Sequence, residues 1–306
     1  MQRSARRAAT WGMCGALGLA VVLLSGPALA ADAPLPAAAG TPAMAGQTGP
    51  VRFRLHRVGQ VRSEVCAVGD INGDGRPDIV AGPAWYEAPG WTMHPFRVLE
   101  GKVGDDGKGY YDDFMNALLD VDGDGRLDLV TCCWFAKALR WYRQTDAADG
   151  QWPLTVADVN GNFETAEIGD VDGDGKREEI VPAVAQTCWY GIAADADGKR
   201  RLQRYEVSAK GGPMGSGVGD INGDGRPDLL RPNAWFEAPA DPRQGSWKEH
   251  AWALGAPNGG ADHVPTILVY DVDGDGRNDV ITSSAHKRGI WWYRQPTDSA
   301  SGAWEQ

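Results

Sequence analysis

Five short acidic loops recur along the chain, and each has the composition of a metal site. Their shared pattern is Asp-x-Asp/Asn-x-Asp-Gly-x-x-Asp/Glu, in which oxygen-bearing side chains stand at alternating places. Hard oxygens placed in this way on a tightly turning loop can wrap one hard cation, and the backbone carbonyl at the seventh place can add a further ligand. Ca²⁺ is favoured over Mg²⁺ because Mg²⁺ demands stricter octahedral geometry. The loops therefore predict up to five structural Ca²⁺ ions.

The predicted ligands stand at the first, third, fifth, seventh and ninth places of each loop. They are Asp70, Asn72, Asp74, Arg76 and Asp78; Asp120, Asp122, Asp124, Arg126 and Asp128; Asp170, Asp172, Asp174, Lys176 and Glu178; Asp220, Asn222, Asp224, Arg226 and Asp228; and Asp271, Asp273, Asp275, Arg277 and Asp279. An EF-hand is excluded because the twelfth places lack the bidentate Glu that such a loop needs. On charge count alone, the two loops with Asn at the third place are expected to bind calcium more weakly. The alternative is a set of five Asp-Gly turns without metal.

The acidity of the whole chain limits the classes of partner. Its 306 residues include 30 basic and 41 acidic side chains, which gives a formal net charge of −11. No nucleic-acid partner is expected, because phosphate binding requires clustered Lys and Arg. Like charges crowded into one loop repel each other unless a cation neutralises them. The charge balance therefore agrees with cation binding.

The regular spacing of the loops indicates a repeat architecture. The leading Asp residues are separated by 50, 50, 50 and 51 positions, and a fixed period of this length is typical of arrays built from one supersecondary unit per repeat. An aromatic pair follows each loop, at 85–86, 141–142, 189–190, 235–236 and 292–293. Each period holds about four short strands, which is the content of one propeller blade. The predicted fold is therefore all-β with five blade repeats, and the aromatic pairs are expected in the core between blades.

The loop, its period and the β-rich run after it resemble the FG-GAP or VCBS-type repeats of integrin α-like β-propellers. The segments YYDDFMNALLDVDGDGRLDLVTCCWFAKALRWYRQ and YDVDGDGRNDVITSSAHKRGIWWYRQ are similar to exported bacterial VCBS-repeat proteins. The resemblance covers residues 51–306 and implies calcium in the loops and a ring that usually has seven blades. Five repeats are recognisable here. We therefore expect either a closed five-bladed ring, completed by an N-terminal strand at 51–58, or an incomplete seven-bladed propeller.

The first fifty residues have the pattern of an export signal followed by a linker. A basic start precedes an apolar run, and Ala28-Leu29-Ala30 forms a small-x-small cleavage site. Residues 1–30 are therefore predicted to be a secretory signal peptide that is cleaved after Ala30. Residues 31–50 are rich in Ala, Pro and Gly and are predicted to be a disordered linker. The domain at 51–306 is expected to be secreted or periplasmic, with no membrane span after cleavage. Its four cysteines are expected either in disulfides or as buried thiols.

The end of the blades opposite the metal loops is the expected ligand surface. In a propeller, the stretch before each first strand and the turn between the second and third strands face that end. The central channel there is the default pocket by shape. The pocket candidates are Glu64, Tyr111, Asp112, Asp113, Glu164, Asp262, His263 and His286. The alternatives are that both histidines are ordinary surface residues and that Asp112-Asp113 only caps a turn.

These features together predict a calcium-stabilised module that binds an extracellular glycan or protein ligand, because aromatic faces with carboxylates suit sugar hydroxyls. No nucleophile elbow, HExxH, P-loop or dinucleotide motif is present. The alternative is a carbohydrate-active enzyme such as a polysaccharide lyase or a sugar dehydratase. In that case His263 or His286 would be the general base, and Lys287 or Arg288 would steady a uronate carboxylate.

Overall fold

The computed structural model of the chain describes residues 53–104, 108–145, 150–211, 214–252, 254, 263–297 and 304–306. The predicted signal peptide, the predicted linker and the pocket candidate Asp262 lie outside these residues. The described part is all-β, with 21 strands and no helix. Accordingly, it contains no helix of the length and apolarity needed to cross a membrane.

Five consecutive antiparallel sheets contain almost all of the strands, and each sheet has one acidic loop between its first two strands. The strands are β1 (Cys66–Gly69), β2 (Asp78–Ala81), β3 (Ala84–Glu87), β4 (Thr92–Pro95), β5 (Gly101–Val103), β6 (Gly109–Tyr111), β7 (Met115–Leu119), β8 (Asp128–Cys133), β9 (Ala138–Tyr142), β10 (Leu154–Asp158), β11 (Ala166–Gly169), β12 (Glu179–Pro182), β13 (Thr187–Ala194), β14 (Arg200–Ser208), β15 (Gly217–Gly219), β16 (Asp228–Arg231), β17 (Ala234–Glu237), β18 (Lys248–Ala251), β19 (Ile267–Tyr270), β20 (Asp279–Ser283) and β21 (Ile290–Tyr293). Sheets 1 to 5 are β1–β4, β7–β10, β11–β14, β15–β18 and β19–β21, while β5 and β6 form a separate hairpin.

Glycine makes the tight turn of each acidic loop possible. In the first loop, Gly73 and Gly75 have φ angles of 76° and 83°, in the left-handed region that residues with a Cβ rarely adopt. A Cβ added at either position would meet no atom within 4 Å. Backbone conformation rather than space therefore requires glycine there. The equivalent two places have positive φ in all five loops.

Each sheet has a forward face, which we define by three positions: the residue after the leading Asp, one residue of the second strand, and the first residue of the aromatic pair. In sheet 1 this triplet is buried under Leu129 and Tyr142 of sheet 2. The buried triplets of sheets 1 to 4 are Ile71, Val80 and Trp85; Val121, Val130 and Trp141; Val171, Val181 and Trp189; and Ile221, Leu230 and Trp235. The prediction that the aromatic pairs belong to the core between repeats is confirmed for sheets 2 to 4. In sheet 1, Trp85 packs on sheet 2, whereas Tyr86 packs against residues of its own sheet and of the N-terminal stretch.

Sheet 5 packs on one face only within the described residues. The face opposite its forward face, which we call the backward face, carries Val280 and Tyr293. This face is buried against Trp235 and other residues of sheet 4. On its forward face, Val272 is 39% and Trp292 is 40% exposed. The described residues thus form five small sheets without a visible closed ring, and the number of blades stays a prediction.

The predicted N-terminal strand at 51–58 is wrong for its described part. Residues 53–58 have no strand pairing, and Phe53 and Leu55 are 69% and 93% exposed. The place expected for this strand is at the edge of sheet 5, where Arg294 instead forms an isolated bridge with Glu305. Val58 and Val61 of the N-terminal stretch pack against the core cluster that contains Tyr86.

The four described cysteines are free thiols. Cys132, Cys133 and Cys188 are buried, and Cys66 is half-buried. The structure therefore confirms the thiol alternative, and no disulfide joins Cys66 to Cys132. Burial raises the pKa of Cys133 and of Cys188 to about 12, so both thiols are protonated at neutral pH.

Candidate metal loops and the opposite surface

The Asp residues of each loop fix its backbone. In the first loop, Asp70 accepts hydrogen bonds from the N–H groups of Asp74 at 3.0 Å and Gly75 at 2.8 Å. Asn72 Oδ1 accepts a second bond from the Asp74 N–H at 3.1 Å, and Asp74 Oδ1 accepts one from Arg76 N–H at 2.9 Å. Side-chain to backbone bonds of this kind are typical of Asx turns. The spacing of the acids therefore determines both the loop conformation and the positions of its oxygens.

In three loops, carboxylate oxygens gather closely enough to share one ion. The groups are Asp120, Asp122 and Asp124; Asp170, Asp172 and Asp174; and Asp271, Asp273 and Asp279, and within each group the oxygens lie within 4.8 Å of one another. Three like charges at such distances repel each other. Ca²⁺ takes about six to eight oxygen ligands, and each cluster would supply the carboxylate part of such a set.

The third loop has two buried carboxylate oxygens without a hydrogen-bond partner in the described chain. They are Asp170 Oδ1 and Glu179 Oε1. Glu179 is fully buried, and burial, followed by the nearby charge of Asp172 and other acids, raises its pKa to about 7. An unsatisfied buried polar atom costs about 1–3 kcal/mol. Asp170 belongs to the cluster of three carboxylates in this loop, so a cation bound there would satisfy Asp170 Oδ1. The negative charges of Asp170 and Asp172 also act on the buried Glu179, and the donor set of the loop therefore fits the predicted Ca²⁺.

Glu179, the tenth residue of the third loop, takes the structural role of the ninth-place Asp of the other loops, and the predicted Glu178 does not. In the first loop, Asp78 accepts a hydrogen bond from Ile71 N–H at 2.9 Å. The equivalent bond in the third loop runs from Val171 N–H to Glu179 Oε2 at 2.9 Å. Glu179 also pairs with Gly169 across the sheet, as Asp78 pairs with Gly69. The third loop is therefore one residue longer than the others, and the assignment of Glu178 is corrected.

The ninth-place acid also ties its loop to the aromatic strand, a role that the sequence did not reveal. Asp128 accepts hydrogen bonds from Trp141 Nε1 at 2.9 Å and from Gln144 N–H at 2.8 Å. Asp279 makes the equivalent bonds to Trp292 Nε1 and Gln295 N–H, both at 2.9 Å. Burial raises the pKa of Asp128 to about 6. Loop, second strand and aromatic pair are thus joined into one unit.

The seventh place contributes a side-chain contact in every loop. Arg76 NH2 donates to Asp74 Oδ2 at 2.6 Å, and Lys176 Nζ donates to Asp174 Oδ2 at 3.0 Å. The equivalent pairs in the remaining loops are Arg126 with Asp124, Arg226 with Asp224, and Arg277 with Asp275. These pairs are largely exposed, so each contributes little to stability.

Four of the predicted pocket residues come together at the ends of the strands opposite the acidic loops. The ring centroids of His263 and His286 are 4.7 Å apart, with planes at 80°. Burial raises the pKa of Glu164, and the charges of both histidines oppose that rise. Burial also raises the pKa of Glu64, with Glu164 as the next cause. Glu64 and Glu164 precede β1 and β11, whereas the loops follow those strands, so this acid–histidine group lies at the far end.

Asp112 and Asp113 are buried and bound within the fold. Asp112 accepts hydrogen bonds from the N–H groups of Phe135 and Ala136, both at 2.8 Å, and so caps the turn after β8. Asp113 accepts a hydrogen bond from Arg97 NH2 at 2.8 Å, and the two side chains are each 1% exposed. Asp113 therefore supports the junction between sheets 1 and 2, whereas Asp112 supports a turn within sheet 2. Tyr111 is half-buried in β6, and Lys287 is exposed.

The β5–β6 hairpin, which the sequence patterns did not predict, carries part of an aromatic row and is joined by Arg62 to the stretch that precedes β1. The ring centroids of Tyr110 and Phe114 are 6.3 Å apart, and those of Phe114 and Phe135 are 5.8 Å apart. Tyr110 is 39% exposed. Arg62 Nη2 donates to the carbonyl of Gly109 in the hairpin at 2.5 Å. The charge of Arg62 opposes the rise that burial causes in the pKa of the nearby Glu64.

Family profiles match two segments of the chain. The FG-GAP repeat matches residues 64–92, and the FG-GAP-like repeat matches residues 120–181. These segments contain the first three acidic loops. The chain therefore contains FG-GAP and FG-GAP-like repeats, which confirms the resemblance seen in the sequence. A search of the curated proteins finds no match.

Several solved structures resemble parts of the fold at low scores. The Vibrio cholerae biofilm matrix protein Bap1 aligns with a TM-score of 0.37 at 19% identity, covering 71% of this chain and 34% of Bap1. The rhamnogalacturonan lyase YesW aligns with a TM-score of 0.42 at 16% identity, and the alignment covers 78% of this chain and 49% of YesW. The Photorhabdus luminescens Tc holotoxin pore aligns with a TM-score of 0.39 at 20% identity, and the alignment covers 79% of this chain and 12% of the pore chain. The chain thus spans half or less of each of these proteins, and such scores establish no common function.

Proposed function

We propose that the protein is an exported, calcium-stabilised β-propeller module that binds a glycan or another extracellular ligand. The observation that carries the binding proposal is the meeting of Glu64, Glu164, His263 and His286 at the end opposite the acidic loops. These side chains offer hydrogen-bond donors and acceptors to solvent, since Glu64, His263 and His286 are exposed and Glu164 is half-buried. The aromatic row offers flat faces on which sugar rings can stack.

The propeller proposal rests on how the first strands of the sheets lie beside each other. A Cβ on Gly219 of β15 would lie 2.7 Å from the side chain of Val269 in β19. Such close approach is expected if first strands line a common axis. The forward face of sheet 5 would then pack either on sheet 1, which closes a five-bladed ring, or on a further blade, as in an incomplete seven-bladed propeller.

A cysteine pair distinguishes these two arrangements. Val171 and Val218 belong to one cluster between sheets 3 and 4, and the equivalent positions across a closing junction are Val272 and Val68. In a closed ring, Val68→Cys/Val272→Cys should form an intrachain disulfide under mild oxidation. Val171→Cys/Val218→Cys is the positive control. A disulfide in the control alone would favour the open, incomplete propeller.

The calcium proposal is supported by the acidic clusters and by the unpartnered oxygens of Asp170 and Glu179. When bound, Ca²⁺ would supply positive charge to oxygens that otherwise repel each other. Atomic spectroscopy of protein purified in calcium, together with a calcium titration of chelator-treated protein, tests this. Protein that binds no calcium would leave the loops as simple turns.

Ligand binding is tested by a glycan screen followed by calorimetry on the best glycan. We expect Glu164→Gln and His286→Ala each to weaken binding by about tenfold or more, because each removes a hydrogen bond to a charged or polar group. Their melting temperatures should stay close to that of the unmodified protein. Glu206→Gln, an exposed acid on β14, is the matched control. Equal affinity in all variants would place the ligand elsewhere.

A second candidate function is favoured by the chemistry of the same group. A carboxylic acid with a raised pKa beside imidazoles is a pair suited to general acid–base catalysis. A polysaccharide lyase or sugar dehydratase would use His263 or His286 as base, with Lys287 near a uronate carboxylate. Incubation with uronate polysaccharides, followed by the ultraviolet absorbance of unsaturated products, tests this candidate. Binding without turnover would exclude the lyase.

Export remains the third part of the proposal, and it rests on the N-terminal sequence pattern. We expect protein recovered from a bacterial host to be found outside the cytoplasm, with Ala31 as its first residue. N-terminal sequencing of the recovered protein measures this. Retention of the uncleaved chain in the cytoplasm would contradict it.

A further inference from the structure

One position outside the acidic loops contacts the third place in three of the five loops. This is the residue directly after the aromatic pair, which we call the flanking position. The flanking residues of sheets 1 to 5 are Glu87, Arg143, Gly191, Glu237 and Arg294. The two loops whose third place is Asn have Glu at the flanking position. Two of the three loops whose third place is Asp have Arg there.

The flanking Arg residues bind the third-place carboxylate. Arg294 Nε lies 2.6 Å from Asp273 Oδ2, and its NH2 group lies 3.3 Å from Asp275 Oδ2. Arg143 NH1 lies 3.7 Å from Asp122 Oδ2. These guanidinium groups hold oxygens that a cation in the loop would need, and they repel the cation.

The third loop obtains the same positive charge from the next sheet. Its flanking residue is Gly191, where a Cβ would lie 2.8 Å from the Trp189 ring and 3.5 Å from Arg243 NH1. The absence of a side chain leaves room for Arg243, whose NH2 group contacts Asp172 Oδ2. Arg243 also lies over the rings of Trp189 and Tyr205. All three Asp loops therefore have an Arg against the third-place carboxylate.

The flanking Glu residues act in the opposite sense. Asn72 Nδ2 donates to Glu87 Oε1 at 3.4 Å, so this carboxylate stands at the edge of the first loop. Glu87 restores the negative charge that Asn72 lacks. The Asp loops, in contrast, each lose one negative charge to an Arg. When these neighbours are counted, the first loop has more negative charge around it than the three Asp loops, although its own sequence has less.

We propose that the flanking charge sets the calcium affinity of each loop, so that Glu strengthens binding and Arg weakens it. This inference rests on the proposed calcium binding. It predicts that the first loop, despite its Asn, binds more tightly than the fifth loop, in which Arg294 contacts two of the Asp residues. This order is the reverse of the order expected from charge within the loops.

Sheets 1 and 4 provide a matched pair inside the same chain. Their loops have identical sequences over nine residues, Asp-Ile-Asn-Gly-Asp-Gly-Arg-Pro-Asp, at 70–78 and 220–228. Both flanking Glu residues also contact a histidine, at 2.9 and 2.8 Å. They differ across the strand, because Thr92 lies opposite Glu87 whereas Lys248 lies opposite Glu237. Lys248 Nζ donates to Glu237 Oε2 at 3.0 Å, so the fourth loop should bind calcium more weakly than the first.

The experiment is a calcium titration of the full chain in competition with a chromophoric chelator. A unit charge about 6 Å from a divalent ion in water changes affinity by roughly tenfold. We therefore expect Glu87→Gln and Thr92→Lys each to weaken one site by about tenfold. Lys248→Thr and Arg294→Gln should each tighten one site by a similar factor. Glu206→Gln is the control for a lost surface charge and should change no site by more than about twofold.

The first loop can be identified among the sites by a second substitution. Asp70→Ala removes its leading ligand, and in that background Thr92→Lys should no longer change the titration. Circular dichroism at saturating calcium confirms that each variant is folded. If calcium binds but Glu87→Gln, Thr92→Lys and Arg294→Gln behave like the control, the inference is overturned while the proposed calcium binding stands. If no calcium binds to the unmodified chain, both are overturned.

Discussion

Replacing Asp113 with Ala would leave the guanidinium of Arg97 without its carboxylate in the junction between sheets 1 and 2. The two side chains are each 1% exposed, so solvent screening does not reduce the effect. Arg97 Nε would still donate to Gly82 O at 2.9 Å, and Thr131 Oγ1 would lose its 2.9 Å bond to Asp113. Breaking a buried pair from one side typically costs about 3–5 kcal/mol.

Thermal unfolding in saturating calcium measures this loss. At about 2–4 °C per kcal/mol for a domain of this size, the melting temperature should fall by roughly 6–20 °C. The double variant Arg97→Met/Asp113→Leu should recover much of the loss, because it removes both charges together. An unchanged melting temperature for Asp113→Ala, accompanied by loss of ligand binding, would refute this reasoning and return Asp113 to the pocket.

Three further outcomes are expected. Chelation should lower the melting temperature and added calcium should restore it, because about a 100-fold excess over the dissociation constant stabilises each site by roughly 2.7 kcal/mol; a chelator-indifferent melting curve would contradict this. Burial raises the folded-state pKa of Glu167 from 4.5 to about 7. The contribution of Glu167 to folding stability is therefore complete below pH 4.5 and is lost as pH rises through about 7, where the buried side chain becomes charged. Glu167→Gln should therefore raise the melting temperature near pH 8 but change it little near pH 5, whereas equal shifts at both would exclude this cause. Trp189→Ala should cost about 3–5 kcal/mol in urea unfolding, and Trp292→Ala less than half as much; equal costs would mean that the forward face of sheet 5 is covered in solution.

The repeats could be predicted because their signals are local. A loop such as 70–78 contains its own glycines and capping acids, and an aromatic pair follows it, so a short window of sequence fixes each element. The burial of Trp85, Trp141, Trp189 and Trp235 followed from their recurrence at one place in the repeat.

The remaining features depend on contacts between distant residues or on single-residue shifts. The extra residue in the third loop is hidden by the Glu178-Glu179 pair, since either acid fits the pattern. The hydrogen bond from Val171 and the pairing with Gly169 select Glu179. Arg243 reaches Asp172 from the following sheet, a contact that no spacing within one repeat reveals. The burial of Asp113 could not be predicted from the sequence of its own repeat either, because its partner Arg97 lies in the preceding repeat.

The uneven packing of the five sheets has a consequence for how the molecule opens. In an array where each unit contacts its neighbours through equivalent surfaces, stability is close to a sum over those junctions. Sheets 2 to 4 each have two such junctions. Sheet 1 has one, and Val58 and Val61 of the N-terminal stretch cover its other face. The described part of sheet 5 also has one, but the exposed Val272 and Trp292 mark a side without cover. Local opening should therefore begin there. In native-state hydrogen exchange, the amides of β19–β21 should lose protection first, and the loss should then pass towards sheet 4 as a progressive front.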